Sequence, residues 1–238
     1  MAAAKILPPG REPMVVGSFS SAGDLRDASA LSVRECCDVV EIRLDLLVAE
    51  GLDCESPPWS HLLETPLLFT ARREEEGGAL AMNPAARMEV LRRSLDEASW
   101  VDIEVASLHE MEGLLVELGA RGLPWIASYH DFKKLPDNAT LARAARVARD
   151  AGAAVFKAAA MLESPADLAR LAEFQLEDHG LPVATMGMGP LAPVSRLLCA
   201  QCGSVFNYGF VGKTATAPGQ WESALLKRAI SKLLPLRA

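Results

Sequence analysis

Ala153-Ala154-Val155-Phe156-Lys157-Ala158-Ala159-Ala160 is a run of small and apolar residues broken by one lysine. Gly152 precedes it and Ser164-Pro165 follows shortly after, so the run is short and bounded by turn signals. That pattern reads as a buried strand. Burying an ammonium costs several kcal/mol, and the usual response is a depressed pKa that leaves more of the amine neutral. A neutral, desolvated lysine attacks carbonyls and forms Schiff bases. The plainer alternative is a Lys157 at the strand end, reaching solvent or a carboxylate partner. The neighbours of the strand decide between the two.

Working outward, apolar strand-like runs alternate with helical patterns along the chain. Strands are expected at 14–20, 39–44, 66–71, 100–106, 124–129, 153–159, 182–186 and 204–208, with helix-period segments at 84–98, 108–119, 139–151, 166–177 and 220–234. Asn83 before Pro84, and Ser164 before Pro165, are capping residues ahead of a proline at the first helical position. Continuous apolar strands separated by helices or long crossovers imply a parallel sheet covered on both faces. Eight such units in 238 residues predict an α/β fold, a closed (β/α)8 TIM barrel, as a single domain over residues 1–238, the first dozen residues forming a loose extension. An open doubly wound sheet is the runner-up, weakened because no Gly-x-Gly-x-x-Gly turn follows the first strand.

Composition narrows the function. Half of the residues are hydrophobic, yet the longest apolar runs fall well short of 18, which provides a core and no membrane span. The opening Met-Ala-Ala-Ala-Lys-Ile-Leu-Pro-Pro-Gly has no apolar h-region, and the five cysteines lack framework spacing. A cytoplasmic protein with reduced thiols is expected. Cys199-Ala-Gln-Cys202 has metal or redox spacing but no second ligand pair, and reads as packing thiols. A net charge of −7 argues against nucleic acid as a partner and requires local arginines for any anionic substrate.

In a barrel, the informative residues are polar ones spaced by two near the carboxyl ends of strands. Val39-Val40-Glu41-Ile42-Arg43-Leu44-Asp45 puts Glu41, Arg43 and Asp45 on one face, as ligand contacts or as an internal ion-pair network. The third strand ends in Thr70-Ala71-Arg72, followed by Arg73-Glu74-Glu75-Glu76-Gly77-Gly78. Asp102 and Glu104 face one way on the fourth strand, and the fifth ends in Ser128-Tyr129-His130-Asp131-Phe132. His130 thereby stands at the catalytic rim, with the side chain best matched to proton transfer near neutral pH. His61, His109 and His179 fall in loops or helices and are assigned no role. Met186 and Met188 read as flexible packing or as a pocket wall. Ser195-Arg196 opens the next helix or loop, where an anion is readily held. Gly212-Lys213-Thr214-Ala215-Thr216-Ala217-Pro218-Gly219-Gln220 is a small-residue loop able to close over a ligand, and is not a Walker sequence.

Taken in order, these pieces resemble type I 3-dehydroquinate dehydratase, a Schiff-base hydro-lyase of the shikimate pathway, which leads to chorismate and aromatic amino acids. The matching segments are Glu41-Ile-Arg43-Leu-Asp45, Phe69-Thr-Ala-Arg72 with Glu76-Gly-Gly, Asp102-Ile-Glu104, Ser128-Tyr-His130-Asp-Phe, Val155-Phe-Lys157, Met186-Gly-Met188, Ser195-Arg196 and Ala217-Pro-Gly-Gln220. No single piece is specific; the ordered set is. The resemblance implies a (β/α)8 barrel acting on a small molecule as a homodimer, with no metal or organic cofactor. It implies that Lys157 forms the imine, that His130 is the acid/base, and that Glu76 sits beside His130. It implies that Glu41, Arg43 and Arg72 bind ring hydroxyls, Arg196 the carboxylate, and Thr216 and Gln220 the closing loop. Asp102 and Glu104 would support these groups, and the charges of Arg43 and Arg72 would help keep Lys157 neutral. Two departures stand out: Thr216 replaces the frequent serine, and the stretch from Tyr208 to Lys213 carries one residue more than the family pattern. A class I aldolase on the same barrel would want a phosphate-binding Gly-rich loop near strands seven and eight, and none is evident. A silent ligand-binding barrel would have lost the lysine or the histidine, and both are present.

Overall fold

All eight expected strands form, in a computed structural model that describes residues 12–51 and 57–233. They are β1 (Met14–Phe19), β2 (Val39–Arg43), β3 (Leu67–Thr70), β4 (Trp100–Glu104), β5 (Trp125–Asp131), β6 (Val155–Met161), β7 (Val183–Met188) and β8 (Phe206–Val211). Every paired neighbour is parallel, in the order β7-β6-β5-β4-β3-β2-β1-β8. The remaining seam, between β7 and β8, is drawn together where the two strands begin. There the Val205 N–H donates to the Val183 carbonyl at 3.1 Å and the Thr185 N–H to Ser204 Oγ at 3.2 Å. The result is a nearly closed (β/α)8 barrel. The loose extension expected at the start falls on residues 1–11, outside the described residues.

The helices are α1 (Ala22–Asp27), α2 (Ala30–Cys36), α3 (Leu44–Ala49), α4 (Pro84–Arg92), α5 (Glu112–Arg121), α6 (Asn138–Asp150), α7 (Pro165–Leu176), α8 (Ala192–Gln201) and α9 (Ser223–Leu233). Their starts follow local chemistry. Asn83 Oδ1 accepts from the Ala86 N–H, and Ser164 forms a capping box with Asp167, each ahead of a proline in the first turn. Helix α6 buries Leu141, Ala144, Ala145 and Ala148, one face at helical spacing. Two helices are shorter than their apolar period suggests. Helix α4 stops at Arg92, and Ser94 turns its hydroxyl back to the Val90 carbonyl in competition with the backbone. Helix α5 starts at Glu112 because Val105–Ser107 first makes a separate 3₁₀ turn.

Alternation along the strands sorts the interior. Outward residues such as Val40, Phe69, Ile103 and Phe156 pack with Leu91, Leu114, Leu141 and Phe174 of the helices. Each buried leucine or phenylalanine there contributes ~1.5–3 kcal/mol. Inside the barrel, an apolar floor is laid by Val16, Val39, Leu68, Trp100, Ile126, Val155, Ala184 and Phe206, one from each strand. Two residues further along each strand stand Ser18, Glu41, Thr70, Asp102, Ser128, Lys157, Met186 and Tyr208. Two further still, where β3 and β7 end, come Arg43, Arg72, Glu104, His130, Ala159 and Met188. The floor fills the amino end of the barrel, and the polar side chains are stacked above it at the carboxyl end.

Removing the Ser164 hydroxyl tests the capping argument. Ser164→Ala is expected to cost about 1 kcal/mol and to lower Tm by roughly 2–4 °C, read by thermal unfolding.

Candidate active site

Lys157 lies mid-strand on β6, 3% exposed, and opens onto a cavity at the carboxyl end of the barrel. Its Nζ is 2.7 Å from Asp102 Oδ2 and 4.4 Å from the centre of the Tyr208 ring. The carboxylate partner foreseen in the plainer reading therefore exists, and the pair stands on the cavity wall. Burial lowers the pKa of this amine; Asp102 pulls it up, and the Arg72 charge pushes it down again. Arg43 is turned away, bidentate to Asp45 at 2.9 and 2.7 Å and bonded to the Gly77 carbonyl at 3.2 Å. Arg43 was also expected to share a strand face with Asp45. Instead β2 ends at Arg43, and Asp45 reaches back from the first turn of α3.

Arg72 is the hub. Its Nη1 donates to Asp102 Oδ1 at 2.9 Å, to Glu104 Oε1 at 2.9 Å and to Ser128 Oγ at 2.7 Å. Burial alone would raise the Asp102 pKa, but Arg72 and Lys157 hold the carboxyl well below the usual range, so it stays an anion. Glu104 also accepts from Arg87 of α4 and from the Arg73 N–H. Glu41 accepts from Ser18 Oγ at 2.5 Å and Thr70 Oγ1 at 2.9 Å. None of Ser18, Thr70, Ser128, Tyr208 or Arg87 was singled out from the sequence. For the first four a signal existed: each stands two residues after an apolar inward residue.

His130, at the end of β5, is held by one carboxylate oxygen. Glu76 Oε2 accepts from the His130 backbone N–H at 3.0 Å and lies 2.9 Å from Nδ1. Burial raises the Glu76 pKa to about 7. Burial, then the charges of Arg72 and Lys157, push His130 well below the usual histidine range. The imidazole is thus neutral; opposite an ionised Glu76 its hydrogen is on Nδ1 and Nε2 is the free base. Gly77 makes this placement possible: its φ is +86°, and a Cβ there would meet the Phe132 ring at 2.5 Å. Only glycine fits both demands.

Arg196 of α8 is 1% exposed and lines the same cavity. Its Nη1 donates to the Tyr208 carbonyl at 2.6 Å, while Nε has no partner. Among the described residues four arginines are buried, and Arg43, Arg72 and Arg87 each pair with a carboxylate. Arg196 has none, and burial depresses its pKa to about 10. Cys199, on the same helix, is buried too, which pushes its thiol up to about 12 and leaves it unreactive.

The loop after β8 closes the top. Gly212 turns it with φ +96° against Asp24, whose Oδ2 accepts from the Lys213 N–H at 3.2 Å. Gln220 Oε1 accepts from both the Thr216 N–H at 2.9 Å and Thr216 Oγ1 at 2.8 Å. Met186 and Met188 form one wall beneath. The enclosed space is about 60 Å³, and an outer depression of about 560 Å³ lies beyond it. Arg43, Gly77 and Thr216 line both. The structure thus brings Lys157, His130, Glu76, Glu41, Arg43, Arg72, Arg196, Thr216, Gln220, Met186 and Met188 to one cavity.

Comparison with known proteins agrees with this geometry. The family profile described as Type I 3-dehydroquinase matches residues 18–234. The chain is 33% identical over 208 residues to the 3-dehydroquinate dehydratase of Methanocella arvoryzae, covering 87% of this chain and 91% of that one. It is 34% identical over 228 residues to that of Haloquadratum walsbyi, covering 90% and 91%. The crystal structure of 3-dehydroquinate dehydratase from Geobacillus kaustophilus superposes with a TM-score of 0.86 at 27% identity, covering 100% of this chain and 97% of that one.

Titration checks the electrostatics of the His130–Glu76 pair. Ring NMR should show His130 protonating well below 6.5, and Glu76 titrating near 7. The depressed histidine makes the folded state bind fewer protons than the unfolded chain, so it costs stability as pH falls below 6.5. The raised carboxyl has the opposite sign: its contribution is lost as pH rises from 4.5 to about 7. Glu76→Gln should flatten that second slope in denaturant midpoints measured across the window.

Proposed function

We propose, for a chain that belongs to the type I 3-dehydroquinase family, that it dehydrates 3-dehydroquinate to 3-dehydroshikimate through a Schiff base on Lys157. One observation carries the reading. A buried amine, a neutral imidazole and a guanidinium without a counterion share one cavity. A carboxylated ketone brings the anion that Arg196 lacks and the carbonyl that Lys157 attacks.

The chemistry follows from those groups. Desolvation and the Arg72 charge raise the neutral fraction of Lys157, while Asp102 fixes Nζ in place. The amine adds to the ketone carbon, and loss of water gives a protonated imine, an electron sink for the adjacent C–H bond. His130 Nε2 takes that proton, and the electron pair moves into the carbon–nitrogen system as an enamine. The electrons then return to expel the ring hydroxyl, which leaves as water with the proton from His130. Hydrolysis of the imine releases the enone and restores the amine. A base of this kind contributes ~10²–10⁴-fold.

Arg196 orients the substrate through its carboxylate, which turns binding into geometry at the reacting carbon. Glu41, Arg43 and Arg72 meet the ring hydroxyls. Thr216 and Gln220 seal the cavity, and Met186 and Met188 pack against the ring. The same reading makes the chain a single catalytic domain of the shikimate pathway, working in the cytoplasm as a homodimer. In support, no helix among the described residues is long and apolar enough to cross a membrane.

Borohydride reduction in the presence of 3-dehydroquinate should fix a covalent adduct on Lys157, located by peptide mass; no adduct would overturn the imine. Lys157→Ala should abolish formation of the enone absorbance, and His130→Ala should lower kcat by ~10²–10⁴-fold. Arg196→Met should raise KM by about 10- to 100-fold, the equivalent of losing a charged hydrogen bond, without loss of Tm, because it removes a buried charge that has no counterion.

A further inference from the structure

Arg87 belongs to the helix layer, yet its guanidinium is 3% exposed and reaches the charges inside the barrel. Nε donates to the Ala71 carbonyl at 3.0 Å, Nη1 to Ser107 Oγ at 3.1 Å, and Nη2 to Glu104 Oε2. It therefore holds both the backbone just before Arg72 and one of the two carboxylates that Arg72 serves. The other is Asp102, the partner of Lys157. Three side chains link Arg87 to the Lys157 amine without a gap: Glu104, Arg72 and Asp102.

Glu41, Asp45, Asp102 and Glu104 face Arg43, Arg72, Arg87 and Lys157, all buried, with Arg196 the cation left over. If Arg87 lost its charge, Glu104 would keep only Arg72 as a cationic partner and draw it in. Asp102 would then be left with Lys157 as its main cation, in a medium where unbalanced charge is expensive. We propose that Arg87 is a positioning residue, which keeps Arg72 divided between Glu104 and Asp102 and so stops Asp102 from binding the Lys157 ammonium as its principal cation. The inference rests on the reading of Lys157 as the imine-forming amine.

The groups around Lys157 fix the sign. Asp102 of β4 and Glu41 of β2 favour the ammonium, while Arg72 at the end of β3 opposes it. His130 of β5 is neutral, and the Tyr208 ring of β8 faces Nζ. Weakening the hold of Arg72 on Asp102 makes the proton on Lys157 harder to lose. Strengthening that hold, by removing Glu104, makes it easier.

The test measures the Lys157 pKa directly, from its Cε signal in ¹³C NMR of the substrate-free enzyme, assigned by its loss in Lys157→Met. In Arg87→Gln the pKa should rise by about one unit. The acid limb of kcat/KM should move with it, so that activity on that limb falls about tenfold and recovers in alkali. Arg87→Lys keeps the charge and should keep the profile. Should Arg87→Gln not fold, Arg87→Gln/Glu104→Gln removes both charges together and leaves Arg72 to Asp102, and there the pKa should fall. An unmoved lysine pKa in either, or a loss of rate equal at every pH, would mean that Arg87 only packs and would overturn the inference. Absence of a borohydride adduct in the unmodified enzyme would instead defeat the function, and the two failures are read separately.

Discussion

The fold has to keep a set of charges inside a barrel that excludes water, and most of what surrounds the cavity answers that demand. Each buried ion costs several kcal/mol after relaxation unless it is ligated on all sides. Asp45 accordingly accepts two bonds from Arg43 and one each from the Arg72 and Ala79 N–H groups. Asp102 takes Arg72, Ser128 and Lys157. The bonds of Asp102 tie β4 to β5, to β6 and to Arg72 just past β3, so the contacts that solvate this carboxylate also fix the strands relative to one another. A side chain in such a lattice has one place to stand, which is the condition a reacting amine requires.

Against that background of satisfied charges, the exceptions are informative. Arg196 lacks an anion, and the His130 imidazole is held neutral by burial and by the charges of Arg72 and Lys157. Both lie on the cavity, where the Tyr208 hydroxyl is also buried without a partner. The other buried arginines each have a carboxylate, so the lone guanidinium of Arg196 stands out. The site is therefore marked by what is left unpaired more than by the number of charges around it.

The strands were legible because each is a short apolar run between turn residues, and all eight were placed within a few residues. The polar side chains at their ends were legible too, since a charge at every second position has few explanations in a buried strand. Helices α1, α2 and α3 were not foreseen. They are six or seven residues long, too short to show a period. Nor does the sequence say which carboxylate an arginine chooses. Arg43 has Glu41 two residues before it and Asp45 two residues after, and only the onset of α3 at Leu44 selects Asp45. Arg87 was invisible for a similar reason, because a basic residue on an amphipathic helix ordinarily faces solvent.

The clasp between Thr216 and Gln220 has a consequence for how ligands are admitted. The loop bonds to itself, so contacts internal to the protein help hold it over the cavity. A ligand that moved the loop aside on its way in would have to break that contact. Part of the intrinsic affinity is then spent on opening, and small anions that fit Arg196 but cannot compensate for the broken clasp will be poor competitors. Under the proposed mechanism, bulk pointing toward the outer depression would be penalised in another way, by holding the clasp apart and letting water reach the imine. Tolerance for larger inhibitors on that side is set by nine residues of loop, from Gly212 to Gln220, more than by the shape of the barrel.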